Sequence, residues 1–322
     1  MSIKIAINGF GRIGMLTARR MLTEHLSLEL VGINDLVNEG DLKKQFQKDI
    51  VYGSFEKNLD NVKFFQEKDP LNLPWGNLGV DIVLECSGFF TDIEGAKKHL
   101  MAGAKKVIIS APSNSVEIPT YLLGVNQKDY NPESDAVISM GSCTTNAVAP
   151  VIKILDENLG IENGFINTVH SYTSSQNKIY PNWRTDKASK LSIVPSTTGA
   201  TKTVEKCLPN LQGKLNGLSL RVPTETGSMV ELVLKVKKAL SLEEINNILE
   251  KASQAESLRG ILKVESGKQN SSNIKGSSYS AIVQIDLTQV LEDLVRVMIW
   301  YDNEFGYACR LAEITDYVGE KN

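Results

Sequence analysis

The chain has 322 residues, 42% of them apolar and 23% charged, and its 35 basic against 38 acidic side chains leave a net charge of −3. At roughly 150 residues per domain this length suggests two domains; the even charge balance, with no basic block, speaks against a nucleic-acid partner, and no apolar run reaches the ~18 residues that a membrane span needs. The opening MSIKIAINGF has neither a basic n-region nor a long apolar core, so no secretory signal is expected and the expected location is the cytoplasm.

In chain order, IKIAI (3–7) predicts a buried strand, residues 12 to 26 a helix, and LELVGIND (28–35) the next strand. Between the first strand and helix lies NGFGRIG, which gives Gly9-x-Gly11-x-x-Gly14. A lone pattern of this kind is weak, but here a strand precedes it, a helix follows, and Asp35 stands 21 residues after Gly14 at the end of the second strand. Glycines permit the tight turn and a close approach of backbone to a pyrophosphate, and the helix N-terminus faces its negative charge. A carboxylate at Asp35 suits the two ribose hydroxyls and repels a 2′-phosphate, which favours NAD over NADP.

Further along, VDIVLECSG (80–88) predicts a strand, AKKHLMAGA (96–104) a helix with His99 on its solvated polar face, and KKVIISAP (105–112) and AVISM (136–140) two more strands. Strands alternating with helices imply βαβ units and a mostly parallel sheet. The continuous apolar runs fit strands covered on both faces. After Cys143 the pattern changes. NAVAPVIKILDENLG has helical spacing and ends at Gly160 as a C-cap. SMVELVLKVKK alternates, with Val230, Leu232, Leu234 and Val236 on one face and Glu231, Lys235 and Lys237 on the other, as in an antiparallel sheet with one covered face. SLEEINNILEKASQ opens on a capping box of Ser241 and Glu244. LVRVMIWYD predicts a last strand and residues 303–318 a terminal helix. The domain boundary is expected near Cys143, where a cleft between domains would hold a ligand.

The four cysteines, Cys86, Cys143, Cys207 and Cys309, lie far apart without a C-x-x-C pair, so they are expected reduced and no zinc site is expected. Cys86 ends a buried strand, and Cys207 and Cys309 read as helix or core positions. Cys143 differs: it stands where a strand stops and a helix starts, between Ser142 and Thr144–Thr145. A free thiol of pKa ~8.5 is only roughly 3% thiolate at pH 7. The half positive charge of a helix N-terminus and a nearby imidazole are expected to lower that pKa. Cys143 is therefore the candidate nucleophile. Of the three histidines, His25 reads as surface and His99 as solvated, while His170 ends a strand of the second half and is the candidate base.

INGFGRIG (7–14), SCTTN (142–146), HSYT (170–173), STTGATK (196–202), GKLNGLSLRVPT (213–224) and WYDNEFGY (300–307) follow one another at suitable intervals. Through them the chain resembles the phosphorylating glyceraldehyde-3-phosphate dehydrogenases along nearly its whole length. The resemblance implies an α/β protein: an N-terminal Rossmann NAD-binding domain over 1–142, to which a C-terminal helix at 304–322 returns, and an α+β catalytic domain over 143–303 with a large mixed or antiparallel sheet. It implies oxidation of D-glyceraldehyde 3-phosphate with NAD and inorganic phosphate through a thiohemiacetal and a thioester on Cys143, with His170 as base, in a homotetramer. Gly9, Gly11, Arg12, Ile13, Gly14, Asp35, Lys68, Ser110 and Asn303 fall on the family's NAD positions. Ser142, Thr144, Thr173, Thr198, Gly199 and Arg221 fall on its substrate and phosphate positions. The chain departs from the family at Arg184-Thr185-Asp186-Lys187, a shortened loop where Thr185 replaces a usual arginine and Arg184 or Lys187 would supply the cation. A second deletion precedes QEKDP, and Gly141 replaces a more usual alanine. Two alternatives stay open: a related erythrose-4-phosphate dehydrogenase, or a non-catalytic NAD-binding paralogue.

Overall fold

The structure is a computed structural model that describes residues 2–25, 27–173 and 192–321. It divides into two compact units. The first is Met1–Leu122, Asn126–Ser142 and Tyr307–Asn322, the second Leu123–Val125 and Cys143–Gly306.

The first unit runs β1 (Ile3–Asn8), α1 (Arg12–Glu24), β2 (Leu28–Asn34), α2 (Glu39–Gln47), a small hairpin of β3 (Lys48–Asp49) and β4 (Gly53–Ser54), β5 (Lys63–Phe65), α3 (Trp75–Leu78), β6 (Ile82–Glu85), α4 (Ile93–Met101), β7 (Lys106–Ile109) and β8 (Val137–Ser139). Six of these strands form one sheet in the order β5-β2-β1-β6-β7-β8, parallel throughout. Counted along the chain this is the 3-2-1-4-5-6 order of a dinucleotide-binding sheet, with its switch point between β1 and β6. The apolar runs are continuous because both faces are covered: Ile5, Ala6, Ile7, Ile82, Val83, Leu84 and Val107 are fully buried. Ala6, Val83, Val107 and Ile109 share one core cluster with Trp75, Ala96 and Ile118.

Two side-chain placements in this unit correct the sequence reading. His99 is not solvated. It is completely buried on the inner face of α4, hydrogen-bonded to Glu85 and Trp75. The polar lysines beside it in the sequence mark the outer face only. His25 is half-buried, with Nδ1 3.2 Å from Asp316 Oδ2.

The second unit runs α5 (Cys143–Leu159), β9 (Ile161–Ser171), β10 (Val194–Thr197), α6 (Ala200–Cys207), β11 (Leu215–Val222), β12 (Ser228–Val236), α7 (Leu242–Ser253), β13 (Leu262–Glu265), α8 (Ser271–Ile274), β14 (Ala281–Gln284), β15 (Gln289–Leu291) and β16 (Leu294–Tyr301). The last helix, α9 (Phe305–Gly319), belongs to the first unit from Tyr307 onward. The large sheet is eight-stranded in the order β10-β11-β9-β12-β16-β14-β13, with β15 on β16. It is mixed: β9 pairs parallel with β11 and antiparallel with β12. Along β12 the alternation sorts as expected, with Val230, Leu232, Leu234 and Val236 buried under α5. Ser241 and Glu244 form the capping box of α7, and Gly160 takes φ +68° after α5.

Candidate active site

Cys143 is the first residue of α5. The turn before it is held by Gly141, whose φ of +63° is costly for any residue with a Cβ. Gly141 N–H donates to Ser139 Oγ at 3.0 Å, and its carbonyl accepts from Tyr307 Oη at 2.8 Å. The glycine here, in place of a more usual alanine, thus has a backbone reason.

Three strands of the second unit bring the rest of the centre together. β9 ends in His170 and Ser171, and its register places Arg221 of β11 directly beside His170. Cys143 Sγ lies 3.4 Å from His170 Nε2. His170 Nδ1 lies 2.7 Å from the Ser171 carbonyl oxygen and 2.7 Å from Arg221 Nη1. Tyr301, at the end of β16, meets the His170 ring edge-on, and its hydroxyl lies 2.9 Å from Thr144 Oγ1 and 3.1 Å from Thr168 Oγ1. Cys143 and His170, proposed from separate parts of the sequence, are thus in contact; Tyr301 lies in the WYDNEFGY motif but is not among the site residues read from the sequence.

The electrostatics differ from the sequence expectation. Burial pushes the Cys143 thiol above its ordinary value. Arg221, the Thr144 hydroxyl and the N–H groups of Cys143 and Thr144 pull it down without winning. Burial and the Arg221 cation push His170 down to about 3, against the carbonyl of Ser171. The pair is therefore a thiol facing a neutral imidazole, because both groups are withdrawn from water and the imidazole has a cation at its back. His170 Nδ1 has two partners at 2.7 Å, the Ser171 carbonyl, which accepts from Nδ1–H, and the Arg221 guanidinium, which only donates; in the tautomer that donates Nδ1–H to Ser171 the lone pair of Nε2 faces the thiol and can take its proton. Burial raises Cys86, Cys207 and Cys309 each to about 12, which keeps these thiols protonated and poorly nucleophilic.

In the same unit Asn303 is buried, and its Oδ1 accepts from Ser171 Oγ at 2.8 Å and Ser228 Oγ at 2.9 Å. Thr198 and Gly199 open α6, where Thr198 Oγ1 accepts from Ala200 N–H at 3.2 Å. Thr173 follows β9 and Ser142 precedes α5. Arg184 and Thr185–Lys187 lie outside the described residues.

The glycine loop of the first unit fits a dinucleotide. Gly9, at φ +92°, packs so closely that a Cβ would stand 2.4 Å from Ser87 N. A Cβ on Gly14 would stand 2.3 Å from the Gly9 carbonyl oxygen, which ties α1 to the loop. A Cβ on Gly11 would meet nothing, leaving room above the start of α1 for a pyrophosphate. Asp35 Oδ2 accepts from Phe10 N–H at 2.6 Å and Oδ1 from Val37 N–H at 2.9 Å. The carboxylate keeps lone pairs for ribose hydroxyls. Arg12 and Ile13 begin α1, and the Arg12 guanidinium pairs with Asp49. Lys68 is exposed after Glu67, and Ser110 follows β7 with its N–H on the Glu85 carbonyl at 3.0 Å.

Comparison with known proteins agrees with this geometry. A family model described as glyceraldehyde 3-phosphate dehydrogenase, NAD binding domain, matches residues 3–93, and one described as the C-terminal domain of the same enzyme matches residues 142–303. The glyceraldehyde-3-phosphate dehydrogenase of Chlamydia pneumoniae is 42% identical over 99% of both chains. That of Geobacillus stearothermophilus is 42% identical over 100% of this chain and 99% of its own. The chloroplastic glyceraldehyde-3-phosphate dehydrogenase B of Pisum sativum is 43% identical over 99% of this chain and 74% of its own.

Proposed function

The chain belongs to the glyceraldehyde-3-phosphate dehydrogenase family, and from that membership we propose that Cys143 is its nucleophile and His170 its base. The reaction is the NAD-dependent oxidative phosphorylation of glyceraldehyde 3-phosphate, with inorganic phosphate as second substrate. The observation that carries the assignment of roles is the 3.4 Å contact of Cys143 Sγ with His170 Nε2 at the start of α5.

The thiol proton passes to His170 Nε2 as Sγ attacks the aldehyde carbon, and Nε2–H returns it to the alkoxide oxygen, giving a thiohemiacetal and a neutral imidazole. His170 then takes the hydroxyl proton of that adduct. NAD, when bound, supplies the hydride acceptor. The product on Sγ is a thioester. A phosphate oxygen attacks its carbonyl carbon, the C–S bond breaks, the acyl phosphate leaves, and Cys143 regains its proton from His170. Arg221, the hydroxyls of Ser142, Thr144, Thr173 and Thr198, and the Gly199 backbone are proposed to hold the two phosphates, with Arg184 as a further cation. Gly9, Gly11, Arg12, Ile13 and Gly14 would hold the pyrophosphate, Asp35 the adenosine ribose, Lys68 and Ser110 further parts of the cofactor, and Asn303 the nicotinamide amide.

On this reading the NAD-binding domain is 1–142 with the helix at 304–322, the catalytic domain is 143–303, and the protein works in the cytoplasm. No helix among the described residues is long and apolar enough to cross a membrane. A homotetramer is proposed, supported by the outer face of the large sheet, where Phe165 and Leu218 stand exposed at 56% and 42%.

The test is NADH formation from glyceraldehyde 3-phosphate with and without inorganic phosphate. Wild type should need phosphate, and Cys143→Ser should lose turnover by at least ~1000-fold. NADH formed equally without phosphate would point to thioester hydrolysis and sink the phosphate assignments.

A further inference from the structure

At the C-terminal ends of β2, β1 and β6 three polar side chains stand in register. Asn34 pairs with Asn8, and Asn8 with Glu85, across the parallel sheet. All three are buried, and hydrogen bonds join them in a row. Glu67 N–H donates to Asn34 Oδ1 at 2.8 Å. Asn34 Nδ2 donates to the Glu67 carbonyl at 2.9 Å and to Asn8 Oδ1 at 2.7 Å. Asn8 Nδ2 donates to Glu85 Oε2 at 2.6 Å. From the other side, Trp75 Nε1–H donates to His99 Nδ1 at 3.1 Å, and His99 Nε2 lies 2.9 Å from Glu85 Oε2. Ser87 N–H donates to Glu85 Oε1 at 2.7 Å, and the Ser87 hydroxyl donates to the same oxygen.

The direction of every bond follows. An indole N–H can only donate, so His99 Nδ1 accepts, its proton sits on Nε2, and that N–H donates to Glu85. The Glu67 N–H fixes which way Asn34 faces, and Asn34 then fixes Asn8. All the partners of Glu85 are thereby donors, the complement of an ionised carboxylate. Burying such a group is costly unless its acceptors are filled, and here they are.

The members of this row have a common place in the chain. Asn8 precedes Gly9, Asn34 precedes Asp35, and Glu67 precedes Lys68. Glu85 also holds Ser87, the residue against whose backbone Gly9 packs. We infer that Glu85 is a positioning residue for the cofactor cradle: its buried carboxylate gathers the ends of β2, β1 and β6 and so sets the spacing of Gly9, Asp35 and Lys68. The inference rests on the reading of those three residues as the NAD site.

A glutamine at 85 cannot be accommodated. Its NH2 would face Asn8 and His99 on one side or the Ser87 N–H on the other, and none of these can turn into an acceptor while the row stands. The experiment is calorimetric titration of the full chain with ADP-ribose, alongside urea unfolding. Glu85→Gln should raise the Kd about ten-fold or more. Asn34→Ala, which cuts the row at its other end, should act in the same direction and carries the test if Glu85→Gln does not fold. Val107→Ala, in the buried core of the same sheet, should lower the urea midpoint yet move the Kd less than about two-fold. An unchanged Kd in both row variants, or an equal rise in Val107→Ala, overturns the inference. Failure of the wild-type chain to bind ADP-ribose overturns the cofactor site itself, and the inference with it.

Discussion

His170 carries a strong electrostatic signature. Its folded-state pKa of about 3 lies below the ordinary 6.5 because burial and Arg221 both oppose the imidazolium. The sign for stability follows from proton linkage. Between these two values the unfolded chain binds the proton and the folded chain does not, so acid favours unfolding. Above pH ~6.5 the folded state bears no such penalty, and stability falls as pH drops from there toward 3. His170→Asn removes the group. Its urea midpoint should therefore fall less than that of wild type between pH 7 and pH 5, whatever its value at pH 7. Equal falls in both would show that His170 is protonated as readily folded as unfolded. At this scale the sequence was informative about identity and poor about environment. Hydroxyl neighbours and a strand-to-helix junction singled out Cys143, and elimination among three histidines singled out His170. Neither signal carries depth of burial, so the thiol was expected low and stands high.

Elements whose pattern repeats within one segment were legible: the alternation along β12, the Ser241–Glu244 box of α7, and the strand–glycine–helix opening of β1 and α1. What the local pattern did not carry was pairing between segments. His99 reads as solvated because lysines flank it, yet the face it occupies is set by α4 packing on β7 and β8, which turns His99 toward Glu85 and Trp75. Glu85 reads as an ordinary polar residue ending an apolar run, and only the sheet order reveals its row of donors. The opening of α1 allows a sharper test. Backbone bounds the site of a Gly14 Cβ, at 2.3 Å from the Gly9 carbonyl, so no side chain can yield. Gly14→Ala should push α1 away from the loop, destabilise the chain by about 1–3 kcal/mol, and weaken NAD in equilibrium dialysis. Gly11→Ala, with open space around its Cβ, should keep wild-type stability while obstructing the ligand. Equal stability losses in both variants would contradict this division of roles.

Over the whole molecule, the change from continuous apolar runs to alternating ones told a parallel sheet from one with a half-covered face, since covering both faces removes the need for alternation. That distinction leaves the outer face of the large sheet to be explained. Phe165 and Leu218 lie on it, on the adjacent parallel strands β9 and β11, and β12 sets Val233 opposite Phe165 and Met229 opposite Val169. Exposed apolar side chains set among polar ones on a sheet face, here Asn167, Asn216 and Glu231, suit an association surface. A second copy of the chain is the simplest occupant consistent with a tetramer, because a two-fold axis makes one patch its own complement. Phe165→Asp with Leu218→Asp would then bury like charges against each other in the assembled state, a cost that association cannot absorb. Sedimentation velocity should give a tetramer for wild type and smaller species for the double variant, whose circular dichroism stays native because both positions are exposed within the subunit. A wild-type chain that sediments as a monomer at micromolar concentration, or a double variant that remains tetrameric, would remove this face from the assembly.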